Sequence, residues 1–378
     1  MSGTPPQPRA GRKALYRVAA LLLSAALACA IGEAALRLLG YSRSYINPIG
    51  SFHFRDAVTG CRGKPNFSGR FRRSDFDVLV VHDENGFRRG EEHPELPPPE
   101  RDVYVLGDSF VWGFGVGQND VLTDRMATLL PGRRVHNLGL IGAGTVEEYT
   151  LFQQYAHDRL RPGDVVVVAF YGNDFGDNVG RYTTNRLHAA VQDGEIRPVY
   201  PEPPPPFSQL KSGLKDASCL FNLLTYCLDR YRQSGTEGKM PDRASRSGPL
   251  PEALRAAADD GSPEVAVTRF FLGEFQRACG EKKALLLVAY IPGQAELGED
   301  EAGATEDLSP PEQQLFRQAF QRCTRALGIR TIDLLPPMLA AKRSGRFDRL
   351  TFRHDFHWAP SGHTVAAETI ARSILETK

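Results

Sequence analysis

The chain has 378 residues, enough for two or three domains of roughly 150 residues each, or for one α/β domain carrying extensions. Hydrophobic residues make up 41% and charged residues 24%, with 21 Phe and 12 Tyr, which excludes global disorder and permits a large packed core. The net charge of +1 supplies no field that would recruit nucleic acid or an acidic polymer. Six cysteines without a CxxC or Cys/His spacing make neither a disulfide scaffold nor a zinc set.

The first forty residues set the compartment. Arg9, Arg12, Lys13 and Arg17 precede an uncharged stretch from Val18 to Gly32, followed by Glu33 and Arg37. A basic flank before an apolar segment is an export pattern. Fifteen residues of helix reach only about 22 Å, short of the roughly 30 Å hydrocarbon core, unless Leu36 to Leu39 extend it. The pattern continues past the small-x-small run Ala26-Leu27-Ala28, so the segment reads as an uncleaved anchor. Cleavage after that run, or lipid attachment at Cys29, are the alternatives. The positive-inside bias then puts the bulk of the chain outside the cytoplasm, single-pass in the cell inner membrane, or secreted if the segment is cleaved.

Beyond a lead-in at 41–100, short β-rich runs predict strands at 103–107, 134–138, 164–170, 284–291 and 329–333. Helix-compatible stretches fall near 120–130, 145–160, 264–280 and 311–327. Near-continuous apolar strands alternating with helices imply a parallel sheet covered on both faces, a doubly wound α/β sandwich. Ligands of such sheets gather beyond the carboxyl ends of the strands. Residues 175–263 form an insertion too long for a bare loop. It carries Pro203 to Pro206, an amphipathic helix near 217–231 and a polar stretch from Gln233 to Ser247, and reads as a cap with a mobile outer part. Cys219 and Cys227, eight residues apart on that helix, are separated by about 12 Å and cannot bridge. Cys279 and Cys323 read as small buried hydrophobes, with a mutual bridge as the alternative.

Three strand ends carry unusual residues. Gly107-Asp108-Ser109-Phe110 follows the first strand, where a serine can present its hydroxyl at the sheet edge, or an Asp/Ser pair can simply cap a helix. The GxSxG elbow is absent, because Val111 stands two places after Ser109. Asn137-Leu138-Gly139 opens a glycine run after the second strand. Gly139 could aim its N–H at an oxyanion or serve a turn, while the spacing is wrong for a dinucleotide loop. Tyr171-Gly172-Asn173-Asp174 follows the third strand and offers an amide donor that does not titrate, or a turn. Near the C-terminus, Asp355 and His357 sit two apart, so in an extended loop the carboxylate can orient the imidazole. His363 falls inside the start of the last helix and reads as structural; His82, His93, His157 and His188 read as surface or core.

In this order, the four blocks resemble the SGNH (GDSL-like) hydrolase and acyltransferase superfamily: Gly107-Asp108-Ser109, Asn137-Leu138-Gly139, Gly172-Asn173-Asp174 and Asp355-Phe356-His357. The resemblance covers about 101–180 and 264–376, and the lead-in is similar to that of export-type bacterial members, with Asp83 where those often carry Asn. It implies a flavodoxin-like three-layer sandwich at 101–378 with a central parallel sheet of about five strands, preceded by the membrane segment at 1–40. It also implies Ser109 as nucleophile, and the Ser109 N–H, Gly139 N–H and Asn173 side chain as oxyanion donors. His357 with Asp355 would be base and orienter, supported by Gly107, Asp108 and Asp174. The implied function is a serine esterase or deacetylase acting on a carbohydrate or lipid ester without a cofactor. The alternatives are an O-acyltransferase modifying an extracellular polysaccharide and a non-catalytic carbohydrate-binding module.

Overall fold

The computed structural model describes residues 10–41, 52–90, 99–182, 185–203, 206–234, 256, 259–299 and 310–377. The expected cytoplasmic tip with Arg9, parts of the lead-in including His93, Pro204, Pro205 and most of the polar stretch after Gln233 lie outside these residues. The chain divides into two units: Met1–Ser51 with Pro205–Met240, and Phe52–Pro204 with Pro241–Lys378.

In chain order the elements begin with helix α1 (Ala10–Leu38). Two short antiparallel pairs follow, β1 (His53–Phe54) with β2 (Arg62–Gly63), and β3 (Ser68–Arg72) with β4 (Asp77–Val81). Next come β5 (Arg101–Gly107), the one-turn helix α2 (Ser109–Trp112), α3 (Leu122–Leu129), β6 (Arg133–Gly139), α4 (Thr145–Tyr155) and β7 (Val165–Phe170). A short α5 (Asp174–Asp177) leads to the hairpin β8 (His188–Gln192) and β9 (Glu195–Val199), then to α6 (Ser208–Ala217) and α7 (Cys219–Ser234). The chain ends through α8 (Pro263–Glu281), β10 (Leu285–Tyr290), α9 (Pro310–Leu327), β11 (Thr331–Asp333), α10 (Leu335–Arg343) and α11 (Pro360–Leu375).

The larger unit is built on a five-stranded, all-parallel sheet in the order β11-β10-β7-β5-β6. Counted along the sheet-forming strands this is 2-1-3-4-5, the flavodoxin-like order, and its switch point lies between β5 and β7. Alternation along each strand divides the core into two layers. Tyr104, Leu106, Val166, Val168 and Phe170 pack against α4, α8 and α9 through Phe152, Phe275 and Phe320. Val103, Val105, Val165 and Val167 point the other way, to Leu122 and Met126 of α3, Met338 of α10 and Ile370 of α11. The run Val165–Phe170 is buried throughout, as a central parallel strand requires. Cys279 and Cys323 lie in the first layer, and all six cysteines are unbridged.

The smaller unit holds α1, α6 and α7. The apolar stretch Lys13–Leu38 is 26 residues long, a span of about 39 Å, and holds an 18-residue window with a mean hydropathy of 2.0. The helix runs on to Leu38, as the expected extension through Leu36 to Leu39 requires, and Glu33 and Arg37 pair within it one turn apart at 2.7 Å. The helix is long and apolar enough to cross a bilayer, a property that an anchor and a signal segment share. The 175–263 insertion is divided, with its β8–β9 hairpin in the sheet unit and α6–α7 in the unit of α1.

Candidate active site

The site is assembled where β5 and β7 part. Asp108 ends the extended chain of β5 and caps α2, its Oδ1 accepting the Phe110 N–H at 2.9 Å, which makes Ser109 the first residue of the helix. Gly113 closes the turn in the left-handed region at φ 85, where glycine is favoured. Gly139 stands opposite Gly107 in the β5–β6 register. A Cβ on it would lie 2.3 Å from the Trp112 backbone nitrogen, so only glycine lets β6 pack against α2.

Asp355 and His357 come from the loop before α11. A Thr351–Trp358 bridge and the bonds Phe352 N–H to His357 O (2.9 Å) and Ala359 N–H to Leu350 O (2.8 Å) fix that loop. His357 Nε2 lies 2.7 Å from Ser109 Oγ, and its Nδ1 lies 2.5 Å from Asp355 Oδ1. That carboxylate oxygen also accepts the His357 N–H at 3.1 Å, which locks the two residues together. All three side chains are buried. The imidazole stacks on Phe114 (4.0 Å, 18°) and on Phe356 (4.2 Å, 26°), which fixes its plane. Burial opposes the charge on Asp355. The hydrogen bond and charge of His357, the His357 N–H and the Arg73 guanidinium nonetheless hold its carboxyl below the ordinary value.

The structure thus brings Ser109, His357 and Asp355 into one hydrogen-bonded chain. Of the expected oxyanion donors, the Ser109 N–H has no partner among the described residues. Asn173, four residues past Ala169 of β7, donates one amide hydrogen to Asp177 Oδ2 at 2.9 Å and has a second to give. The Gly139 N–H differs from its expected place: it donates to Asn137 Oδ1 at 2.9 Å, a bond within its own strand end, and would have to share or release it. Among the described residues no group of three or more His, Cys, Asp or Glu side chains could hold a metal ion. His363 is structural as expected, its buried Nδ1 accepting the Leu122 N–H at 3.2 Å.

Two family descriptions match the chain: a GDSL-like lipase/acylhydrolase family over residues 105–278, and an SGNH hydrolase-like domain of the acetyltransferase AlgX over 252–378. Together they cover residues 105–378, which contain all four blocks. The chain belongs to the SGNH (GDSL-like) hydrolase and acyltransferase superfamily. Solved structures to which it is similar include a lipolytic G-D-S-L protein from Veillonella parvula DSM 2008 (10% identity, 74% of this chain and 100% of that one, TM-score 0.39). Another is an extracellular lipase from Streptomyces rimosus (14% identity, 72% and 99%, TM-score 0.39). No curated protein matches.

Behind Ser109 lies a layer of acids. Glu148 of α4 is fully buried with neither carboxylate oxygen hydrogen-bonded among the described residues, and Asp174 Oδ2 accepts only the Thr145 hydroxyl at 3.1 Å. Burial first, and then mutual repulsion with Asp108, push Glu148 and Asp174 well above the usual carboxylate range. Burial likewise raises Asp108 to about 6 and Glu147 to about 7, the latter despite its ion pair with Arg186 at 2.8 Å. Sequence reading missed Glu148, Arg73, Phe114 and Phe356. For Glu148 a signal existed: with Leu151 and Phe152 at i+3 and i+4, it lies on the apolar stripe of α4.

Proposed function

We propose that this chain is a serine ester hydrolase that works through an acyl-enzyme on Ser109. The observation that carries this reading is the chain Ser109 Oγ, His357 and Asp355 at 2.7 and 2.5 Å. His357 Nε2 takes the Ser109 proton as Oγ attacks an ester carbonyl, and Asp355 steadies the imidazolium through Nδ1. The Ser109 N–H and the second amide hydrogen of Asn173 receive the oxyanion, joined by the Gly139 N–H if it leaves Asn137. His357 then returns its proton to the departing alcohol. Water, deprotonated by the same imidazole, attacks the acyl carbonyl, and the imidazolium returns that proton to Ser109 Oγ as the free acid leaves. Gly107, Asp108 and Asp174 support the turn and rim without touching the ester. No cofactor enters these steps.

The substrate is an ester of carbohydrate or lipid outside the cytoplasm. The basic flank of α1, Lys13 and Arg17, supports an N-terminus inside and the rest of the chain across the membrane. A second reading is O-acyl transfer, in which a sugar hydroxyl replaces water. It is favoured by the match to the AlgX acetyltransferase domain over 252–378, which contains Asp355 and His357. Serine-reactive phosphonate labelling, followed by a screen of short-chain aryl esters with and without oligosaccharide acceptors, tests both. Labelling at Ser109 and acid release lost in Ser109→Ala support the esterase. An acylated sugar as main product supports the transferase. A folded chain that neither labels nor turns over is a binding module.

A further inference from the structure

In the unit of α1, polar side chains at the end of the apolar helix hold the α6–α7 hairpin. The Glu33 carboxylate accepts the Ser218 hydroxyl (2.8 Å) and the Cys219 and Leu220 N–H groups (3.1 and 2.9 Å), capping α7 from another helix. Arg37 donates to Ala217 O at 2.8 Å, and the Tyr41 hydroxyl to Asn222 Oδ1 at 3.0 Å. The contact is confined to this end: Gly32, Glu33, Leu36 and Tyr41 are shielded, whereas Lys13 to Ile31 are exposed. At Gly32 the helices come close, a Cβ there lying 3.4 Å from Leu220 Cδ2.

Leu220, Phe221 and Leu223 of the hairpin are half-buried, but other apolar side chains are not. Leu224, Leu228 and Tyr231 stand exposed at i, i+4 and i+7 on α7, and Leu210 and Leu214 at i and i+4 on α6, with Lys211 exposed beside them. Glu33 lies five residues before Leu38, about 8 Å below the end of the helix, so a hairpin bonded there sits at the depth of the lipid headgroups. Apolar stripes with a neighbouring lysine at that depth fit an interfacial lipid surface. We propose that α6 and α7 lie in the headgroup and upper acyl layer of the membrane that α1 crosses, with Leu210, Leu214, Leu224, Leu228 and Tyr231 facing lipid. This rests on the anchoring of α1 and is independent of the catalytic reading.

The test uses the full chain in vesicles of lipid brominated on the upper acyl chain. Its two native tryptophans, Trp112 and Trp358, are buried in the sheet unit and give the background. Leu228→Trp, and separately Leu210→Trp, are expected to lose about half of the added fluorescence relative to unbrominated vesicles, the depth of an interfacial helix. Leu22→Trp, inside α1, reports the anchor. If Leu22→Trp is quenched while both hairpin probes are not, the hairpin is covered by protein or water and the proposal is overturned. If Leu22→Trp is not quenched either, the anchoring itself fails and the hairpin proposal with it.

Discussion

Arg73 Nη1 donates to Asp355 Oδ2 at 3.2 Å, so the carboxylate that meets His357 through one oxygen meets a guanidinium from the turn after β3 through the other. The same guanidinium lies 5.0 Å over the Phe114 ring that stacks on His357. The lead-in thereby positions the proposed base and its orienter. The Arg73 side chain is 40% exposed, which limits the pair to about 1 kcal/mol after screening. Arg73→Gln is expected to lower kcat about fivefold with KM unchanged, and Arg73→Lys to restore most of it. A fall in thermal stability without a kcat effect would leave Arg73 a purely structural residue.

Phe114→Leu keeps an apolar side chain but removes the flat face against the imidazole. Aromatic stacking of this kind is worth about 0.5 to 1.5 kcal/mol, so kcat should fall about two- to tenfold while the melting temperature changes little. Steady-state kinetics beside calorimetry separate the two.

Gly139→Ala puts a methyl 2.3 Å from the Trp112 nitrogen and 2.7 Å from the Val111 carbonyl carbon, backbone atoms of the helix that carries Ser109. Either α2 shifts or the protein loses stability. Both outcomes abolish aryl-ester cleavage, and phosphonate labelling at Ser109 is expected to disappear with it. A fully active Gly139→Ala would contradict this packing.

Asn173→Ala removes an amide from the rim after β7. If that amide holds the oxyanion, the loss is about 2.7 to 4 kcal/mol of transition-state stabilisation, a hundredfold or more in kcat. An effect under threefold would remove Asn173 from the donor set.

Burial raises the folded Asp108 to about 6 from an ordinary 3.8. A raised acid binds more protons folded than unfolded, so the folded state loses stability as pH climbs from about 4 to 6 and keeps that penalty above it. Asp108→Asn retains an oxygen for the Phe110 N–H and loses the charge. Its melting temperature is expected to equal that of the wild type near pH 4 and to exceed it progressively up to pH 6 to 7, by at most about 3 kcal/mol in stability. A pH-independent difference would refute the assignment.

The five sheet strands were legible because β-branched runs such as Val165–Phe170 have no other stable home, and their ends fell within two residues of the expected bounds. Three of the four blocks were legible because each follows a strand end, where the fold collects polar groups, and the fourth because Asp355 and His357 stand two apart just before the last helix. Less visible was what Glu33 and Arg37 do at the end of α1, where they pair with each other and Glu33 caps α7.

By itself, the sequence determined the α/β layering and the apolar N-terminal helix and singled out Ser109, Asp355 and His357, because local periodicity and motif order are one-dimensional properties. Only the tertiary structure decided that Arg73 meets Asp355 across 282 positions, that Phe114 supports the imidazole, and that the Gly139 N–H is engaged by Asn137. It also decided that Glu148 and Asp174 are buried beside Asp108, where their charges repel. These relations depend on which surfaces the chain presses together, and on the low dielectric that results, and neither is written in the spacing of residues along it.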